Sequence, residues 1–262
     1  MVHGTWGAYA GVVPANNRLG IPAIHLQDGP QGVGDNVEEV TCWPSALTVA
    51  ASWDPEMMHA FASAMAVEQK TKGTNVLLGP MVNIARVPQA GRNFESMGED
   101  PYFAAIMGAA NIQGIQSQGI LGCLKHWALN DQEQDRADID VNVDERTAHE
   151  LYFPAFEAAI KAGVGTVMCS YNKVNGTYVC ENKALLTREL RDRMGFQGWV
   201  MSDWYATHSS TTAALAGLDQ EMPGFGYFGT RLSDDIKNGI VRQAPPPGHT
   251  QTHTGHLICR PK

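Results

Sequence analysis

No run of lysines or arginines occurs in this sequence, and acidic residues outnumber basic ones, 27 to 19, for a formal net charge of -8. That balance offers no basic surface for the phosphates of a nucleic acid. No apolar stretch is long enough to span a bilayer. The opening MVHGTWGAYAGVV has neither the charged n-region nor the apolar h-region of a signal peptide. P-loop, HExxH and GxSxG patterns are all missing. There is no CxxC among the five scattered cysteines, Cys42, Cys123, Cys169, Cys180 and Cys259. Cys123 and Cys169 fall in apolar runs and read as buried free thiols, with a Cys169–Cys180 bridge left open.

What remains is the composition of a soluble globular protein, 44% hydrophobic and 18% charged over 262 residues. Short runs, most of them apolar and without alternation, recur at 21–27, 46–52, 75–80, 120–124, 164–170, 198–202 and 217–222. These seven read as strands buried on both faces. Helical patterns lie between them. Asp54-Pro55 and Asp100-Pro101 each open one, with expected buried stripes over Met58, Phe61, Ala62 and Met65, and over Phe103, Ile106, Met107 and Ala110. Asp144 opens another, its stripe including Leu151 and Ile160, with a kink expected at Pro154. Asn182 precedes a helix over Leu185, Leu186, Leu190 and Met194.

Strands joined by helices imply a parallel sheet. A doubly wound sheet would collect its polar residues at one switch point. Here they follow strand after strand, which favours a (β/α)8 barrel of TIM type, one strand short by this reading. The barrel-like domain is expected over 1–242. From Gln243 the chain loses its apolar period, so 243–262 reads as a disordered tail. His249, His253, His256 and Cys259 have spacing a metal could use, but no framework holds them, and no metal or cofactor is expected. The loss of pattern after Val241 reads as a chain that stops before its fold is finished.

In a parallel barrel the strand ends share one rim, where active sites form. Asp28 ends the first run. Arg92 and Glu95 lie beyond the third, Lys125 and His126 end the fourth, Tyr171 and Asn172 the fifth, Asp203 and Trp204 the sixth. Taken singly, each has an ordinary role. Asp203 could cap a helix, Arg92 could pair with Glu95 or Asp100, and Tyr171 and Trp204 could be packing residues. Repetition at equivalent positions is hard to explain as capping. GFGYFG at 224–229 matches GxGxxG without a following βαβ unit and reads as a turn.

Five segments together, LQDGPQGV (26–33), GRNFESMGEDP (91–101), KHWALNDQE (125–133), MCSYNKVNG (168–176) and GWVMSDW (198–204), resemble the signature segments of glycoside hydrolase family 3. The likeness is to its β-glucosidase and β-xylosidase branch and covers roughly residues 4–241. The hexosaminidase-like members carry a Gly/His-rich loop where this chain has WALNDQE. The resemblance implies a retaining, exo-acting β-glycosidase of carbohydrate metabolism, acting on a β-linked glucoside or xyloside and found outside the cell. Asp203 would be its nucleophile. Asp28, Arg92, Lys125 and His126 would bind hydroxyls of the terminal sugar, and Met168, Tyr171 and Trp204 would shape the pocket. In that branch the acid/base residue comes from a further α/β sandwich domain. Asp219, Glu221 and Glu95 are substitutes by location alone. The alternative expectation is a non-catalytic fragment that binds sugar weakly. The sequon at Asn175 matters only for a secreted chain.

Overall fold

Strands that are apolar at every position need cover on both faces, and a ring of strands wrapped in helices provides it. The computed structural model of the chain describes residues 2–34, 37–224 and 226–241. Its central sheet contains β1 (Val2–His3), β2 (Gly11–Val13), β3 (Ile24–Asp28), β4 (Val76–Leu78), β5 (Leu121–Trp127), β6 (Thr166–Cys169), β7 (Trp199–Ser202) and β8 (Gln220–Glu221). The spatial order is β1-β8-β7-β6-β5-β4-β3-β2. All neighbours run parallel except β2 and β3. The two ends of this order meet, because Thr5 and Val12 exchange a pair of backbone hydrogen bonds of 2.8 Å. Strand order follows chain order round the ring without reversal. That is a barrel and not a doubly wound sheet.

Successive strand residues face opposite ways and sort into two cores. Leu26, Val76, Leu78, Cys123, Met168 and Met201 form one cluster, and their neighbours Leu77, Leu124, Val167 and Val200 pack into the larger one with the helices. Those helices are α1 (Ala46–Ala50), α2 (Pro55–Thr71), α3 (Pro101–Ser117), α4 (Pro154–Lys161), α5 (Ala184–Arg193), α6 (Thr211–Ala216) and α7 (Leu232–Lys237). Asp54 and Asp100 cap α2 and α3, each accepting from two backbone amides ahead of it. Their side chains satisfy donors that the helix start leaves unpaired. Among the described residues, no helix is long and apolar enough to cross a membrane.

Several expectations change. The run 46–52 is helical over Ala46–Ala50, because the Ser45 hydroxyl accepts from the Thr48 amide and starts a helix there. A short apolar run carries no period to distinguish the two outcomes. Two strands near the start, β1 and β2, were not expected, and they complete the ring of eight. On α3 the buried stripe runs through Ala104, Met107 and Ala110, while Ile106 is exposed. The helix opened by Asp144 winds wide, π-type turns over Ala148–Tyr152, breaks at Phe153 and restarts at Pro154. Wider turns advance the register, so Leu151 faces solvent while Ile160 is buried.

Cys123 is a buried free thiol as expected, but Cys169 is not free. It is bonded to Cys180. The bridge closes a segment that includes a small hairpin, Lys173–Val174 and Thr177–Tyr178, turned by Asn175 and Gly176, both at positive φ. Asp140–Val141 adds a third strand to it. The tail at 243–262, with its histidines and Cys259, lies outside the described residues, as does Phe225 of GFGYFG. Within that motif Tyr227 and Phe228 begin a helical turn whose amides the Glu221 carboxylate accepts.

Candidate active site

The C-terminal ends of β3, β5, β6 and β7 converge on a cavity of about 240 Å³. Its lining includes every residue expected at the site: Asp28, Arg92, Lys125, His126, Met168, Tyr171, Asp203 and Trp204. The rim is the one a parallel barrel uses. Trp6, Ala10, Leu78 and Arg136 line it as well.

Asp203 sits immediately past β7, its amide donating to the Cys169 carbonyl at 3.0 Å. Oδ1 accepts from the Tyr171 hydroxyl at 2.8 Å and from the Trp204 amide at 2.7 Å. Oδ2 lies 3.6 Å from His126 Nε2. Burial pushes this carboxyl above the usual carboxylate range, against the pull of Tyr171, the Trp204 amide, Lys125 and Arg92. Asp203 caps no helix; the turn before α6 is led by Ser210.

His126 and Lys125 are consecutive, and a regular strand would turn one of them away. The pairing of β5 with β6 shifts register between Leu124 and Trp127, and this bulge lets both side chains reach the cavity. Asn83 braces it. Its Nδ2 donates to the His126 carbonyl at 3.1 Å, and its Oδ1 accepts from the His126 amide at 2.7 Å. Burial, with Arg92, Lys125 and Arg136 nearby, holds His126 well below the usual imidazole range, so it stays neutral.

Arg92 and Lys125 share one carboxylate. Glu95 accepts from Arg92 Nε at 2.8 Å and lies 3.5 Å from Lys125 Nζ. Burial alone would raise the Glu95 carboxyl, but the two cations outweigh it and draw it below the usual range. Lys125 Nζ also lies 4.0 Å from Asp28 Oδ1. Arg136 stacks its guanidinium 4.3 Å from the centre of the Tyr171 ring and bonds Glu133 at 2.8 Å. Burial and the Asp203 carboxylate both raise the Tyr171 phenol, which stays protonated and donating.

Chemically, the cavity presents one buried carboxylate held by donors, two guanidinium groups, one ammonium and one neutral imidazole. These groups suit a ligand rich in hydroxyls, with indole faces from Trp6 and Trp204 for its C–H side. The two rings stand 6.0 Å apart. Among the described residues, no group of three or more His, Cys, Asp or Glu side chains is placed to hold a metal ion.

Residues 7–221 match the glycosyl hydrolase family 3 N terminal domain. The chain belongs to glycosyl hydrolase family 3. It is 47% identical over 235 residues to a beta-glucosidase of Rhizobium radiobacter, covering 87% of this chain and 29% of that one. To a probable beta-glucosidase L of Aspergillus terreus it is 42% identical, covering 92% of this chain and 34% of the relative. The fold matches DesR, a beta-glucosidase from Streptomyces venezuelae solved in complex with D-glucose, at a TM-score of 0.89 and 39% identity. That alignment covers 92% of this chain and 33% of DesR. This family 3 chain thus spans about a third of the length of the relatives it matches.

Two residues of the cavity lining, Trp6 and Arg136, were missed in the sequence. Trp6 lies near the start of the stretch that the resemblance covers and Arg136 three positions past KHWALNDQE, and neither stands at the end of an apolar run. The three carboxylates considered as substitutes for an acid/base do not enter the cavity lining. Asp219 is paired with Arg191 and accepts from the Val200 amide. Glu221 caps the turn at Tyr227, and Glu95 is held by its two cations.

Proposed function

We propose that this chain carries the sugar pocket and the nucleophile of a retaining, exo-acting β-glucosidase. The observation that carries the reading is Asp203, which is fixed on one oxygen by Tyr171 and the Trp204 amide at the floor of a cavity walled by Arg92, Lys125 and His126. The Asp203 carboxylate would attack the anomeric carbon, the leaving oxygen would depart, and water would later release the glycosyl-enzyme. Arg92 and Lys125 favour the charged nucleophile and, with Asp28 and neutral His126, grip the hydroxyls that hold the ring for in-line attack. The names of the relatives support a β-glucoside as substrate.

A retaining mechanism also needs a second carboxyl group about 5–5.5 Å from the first. With Asp219, Glu221 and Glu95 engaged elsewhere, that acid/base comes, on this reading, from outside these 262 residues. The greater length of the relatives supports it. We also infer an extracytoplasmic protein, a reading supported by the Cys169–Cys180 bridge, since disulfides persist in oxidising compartments.

A 2-deoxy-2-fluoro glucoside with a dinitrophenolate leaving group tests the assignment, because such a reagent needs little acid assistance. Peptide mapping is expected to find the adduct on Asp203. Labelling of Asp219 or Glu221 would sink the proposal.

A further inference from the structure

The residues on either side of His126 are tied to the backbone of neighbouring segments. Lys125 donates to the Pro80 carbonyl at 3.0 Å, and its own carbonyl accepts from the Val82 amide at 3.0 Å. The Trp127 carbonyl accepts from the Ser170 amide at 2.7 Å. Between them, both main-chain groups of His126 are held by the side chain of Asn83. A carboxamide stands there in place of the ladder that the bulge interrupts.

Nothing comparable holds the imidazole. Its Nδ1 is buried without a partner among the described residues. Its Nε2, at 3.6 Å from Asp203 Oδ2, lies beyond a normal hydrogen bond. A histidine that acts on a ligand is commonly aimed by a partner on its other ring nitrogen. His126 lacks one, which leaves its aim to packing and to where its backbone is fixed.

Asn83 suits that task. It is buried and does not line the cavity around Asp203. Its amide cannot be turned end for end, because Nδ2 would then face the His126 N–H, donor against donor. The Asp131 carboxyl hydrogen-bonds Asn83 in turn, and as a carboxylate it can take only the second Nδ2 hydrogen. Burial lifts that carboxyl to about 7, while Arg86 and the Asn83 bond pull it down, so the bond favours its ionised form.

We propose that Asn83, held in turn by Asp131, is the positioning residue that aims His126 at the hydroxyl it grips beside Asp203. This rests on the sugar pocket proposed above and adds to it two residues that do not line that pocket.

The test combines labelling by the activated fluoro-glucoside with the imidazole NMR spectrum of the chain, in which His126 is assigned by its loss in His126→Ala. Asn83→Ala is expected to slow labelling of Asp203 about tenfold or more, since small misplacements of a positioned group are that costly. It should also shift the His126 imidazole resonances. Combined with His126→Ala it should add little, because both changes remove one function. A brace acting on the fold at large would leave the two losses independent, and they would multiply. Asp131→Ala should slow labelling less than Asn83→Ala does. Asp131→Asn, whose oxygen still accepts from Nδ2, should label much closer to the parent rate. If Asn83→Ala does not fold, the Asp131 pair decides: a slower Asp131→Ala supports the proposal, and equal rates overturn it. If the parent itself is not labelled, the proposed function fails, and the imidazole spectrum alone decides the positioning role. His126 resonances unmoved in Asn83→Ala, or labelling losses that multiply, would overturn it.

Discussion

Replacing Tyr171 by phenylalanine removes one oxygen from the pocket and keeps the ring that Arg136 stacks on. The lost group is a donor at 2.8 Å to a nearly buried carboxylate, so little solvent is at hand to replace it. A hydrogen bond to a charged group contributes about 1.5–3 kcal/mol. Since the phenol bonds the ionised form of Asp203, its loss favours the protonated form, and the acid limb of the reaction moves to higher pH. On that limb, where the carboxyl is mostly protonated, the rate of labelling by the activated fluoro-glucoside should fall about tenfold or more. On the alkaline plateau, where both proteins are ionised, the rates should lie much closer together. The measurement is the labelling rate against pH for the two proteins. Superimposable acid limbs would show that Tyr171 does not hold Asp203 in solution, and the account of the nucleophile would fail with it.

Asp219→Asn strips Arg191 of its carboxylate partner in a largely buried setting and should cost about 2–4 kcal/mol, discounted for the partial exposure of Asp219. A urea midpoint unchanged from the parent would refute the structural role given to that pair. Replacing Cys169 and Cys180 together by serine releases a constraint over a separation of 11 residues and should lower stability by about 3 kcal/mol. The loss would show in the same urea series. Purified alone, the chain is expected to leave cellobiose intact and to turn over aryl β-glucosides with acidic phenols slowly, because positioned general acid catalysis is worth roughly 10²–10⁴-fold. Robust cellobiose hydrolysis that disappears in Asp203→Ala would place an acid/base within these residues.

The parts of the molecule legible in its sequence were those that repeat. Six of the seven runs became strands, five of them apolar because burial on both faces leaves much the same composition at each, and the sixth, Gln220–Glu221, polar. Asp203, Lys125 and Arg92 stood out by following them. Elements with no room for a pattern stayed hidden. β1 and β2 are two and three residues long and are held by pairing partners more than 200 and about 15 positions away, respectively, in Glu221 and Leu26. The run at 46–52 turned helical through a single serine hydroxyl. Arg136 gave no sign because its place at the cavity depends on stacking against Tyr171, a contact made only in three dimensions. Asn83 went unseen for a similar reason, since it acts on the backbone of a bulge that no periodicity announces.

The hairpin that joins the two ends of the ring also carries two walls of the candidate pocket, Trp6 and Ala10. The seam is narrow. Gly4 bonds the Glu221 carbonyl at 3.1 Å on one side, and Thr5 pairs with Val12 on the other. Short edge pairings of this kind open more readily than the interior of a sheet. Whenever this one parts, the pocket loses its wall in the same motion. On the proposed function, a bound sugar would act as a latch on the barrel, and its affinity would include the work of keeping the ring shut. Amide exchange at Gly4, Thr5 and Val12 would slow as ligand is added, so that the far edge of the fold reports on the occupancy of its centre.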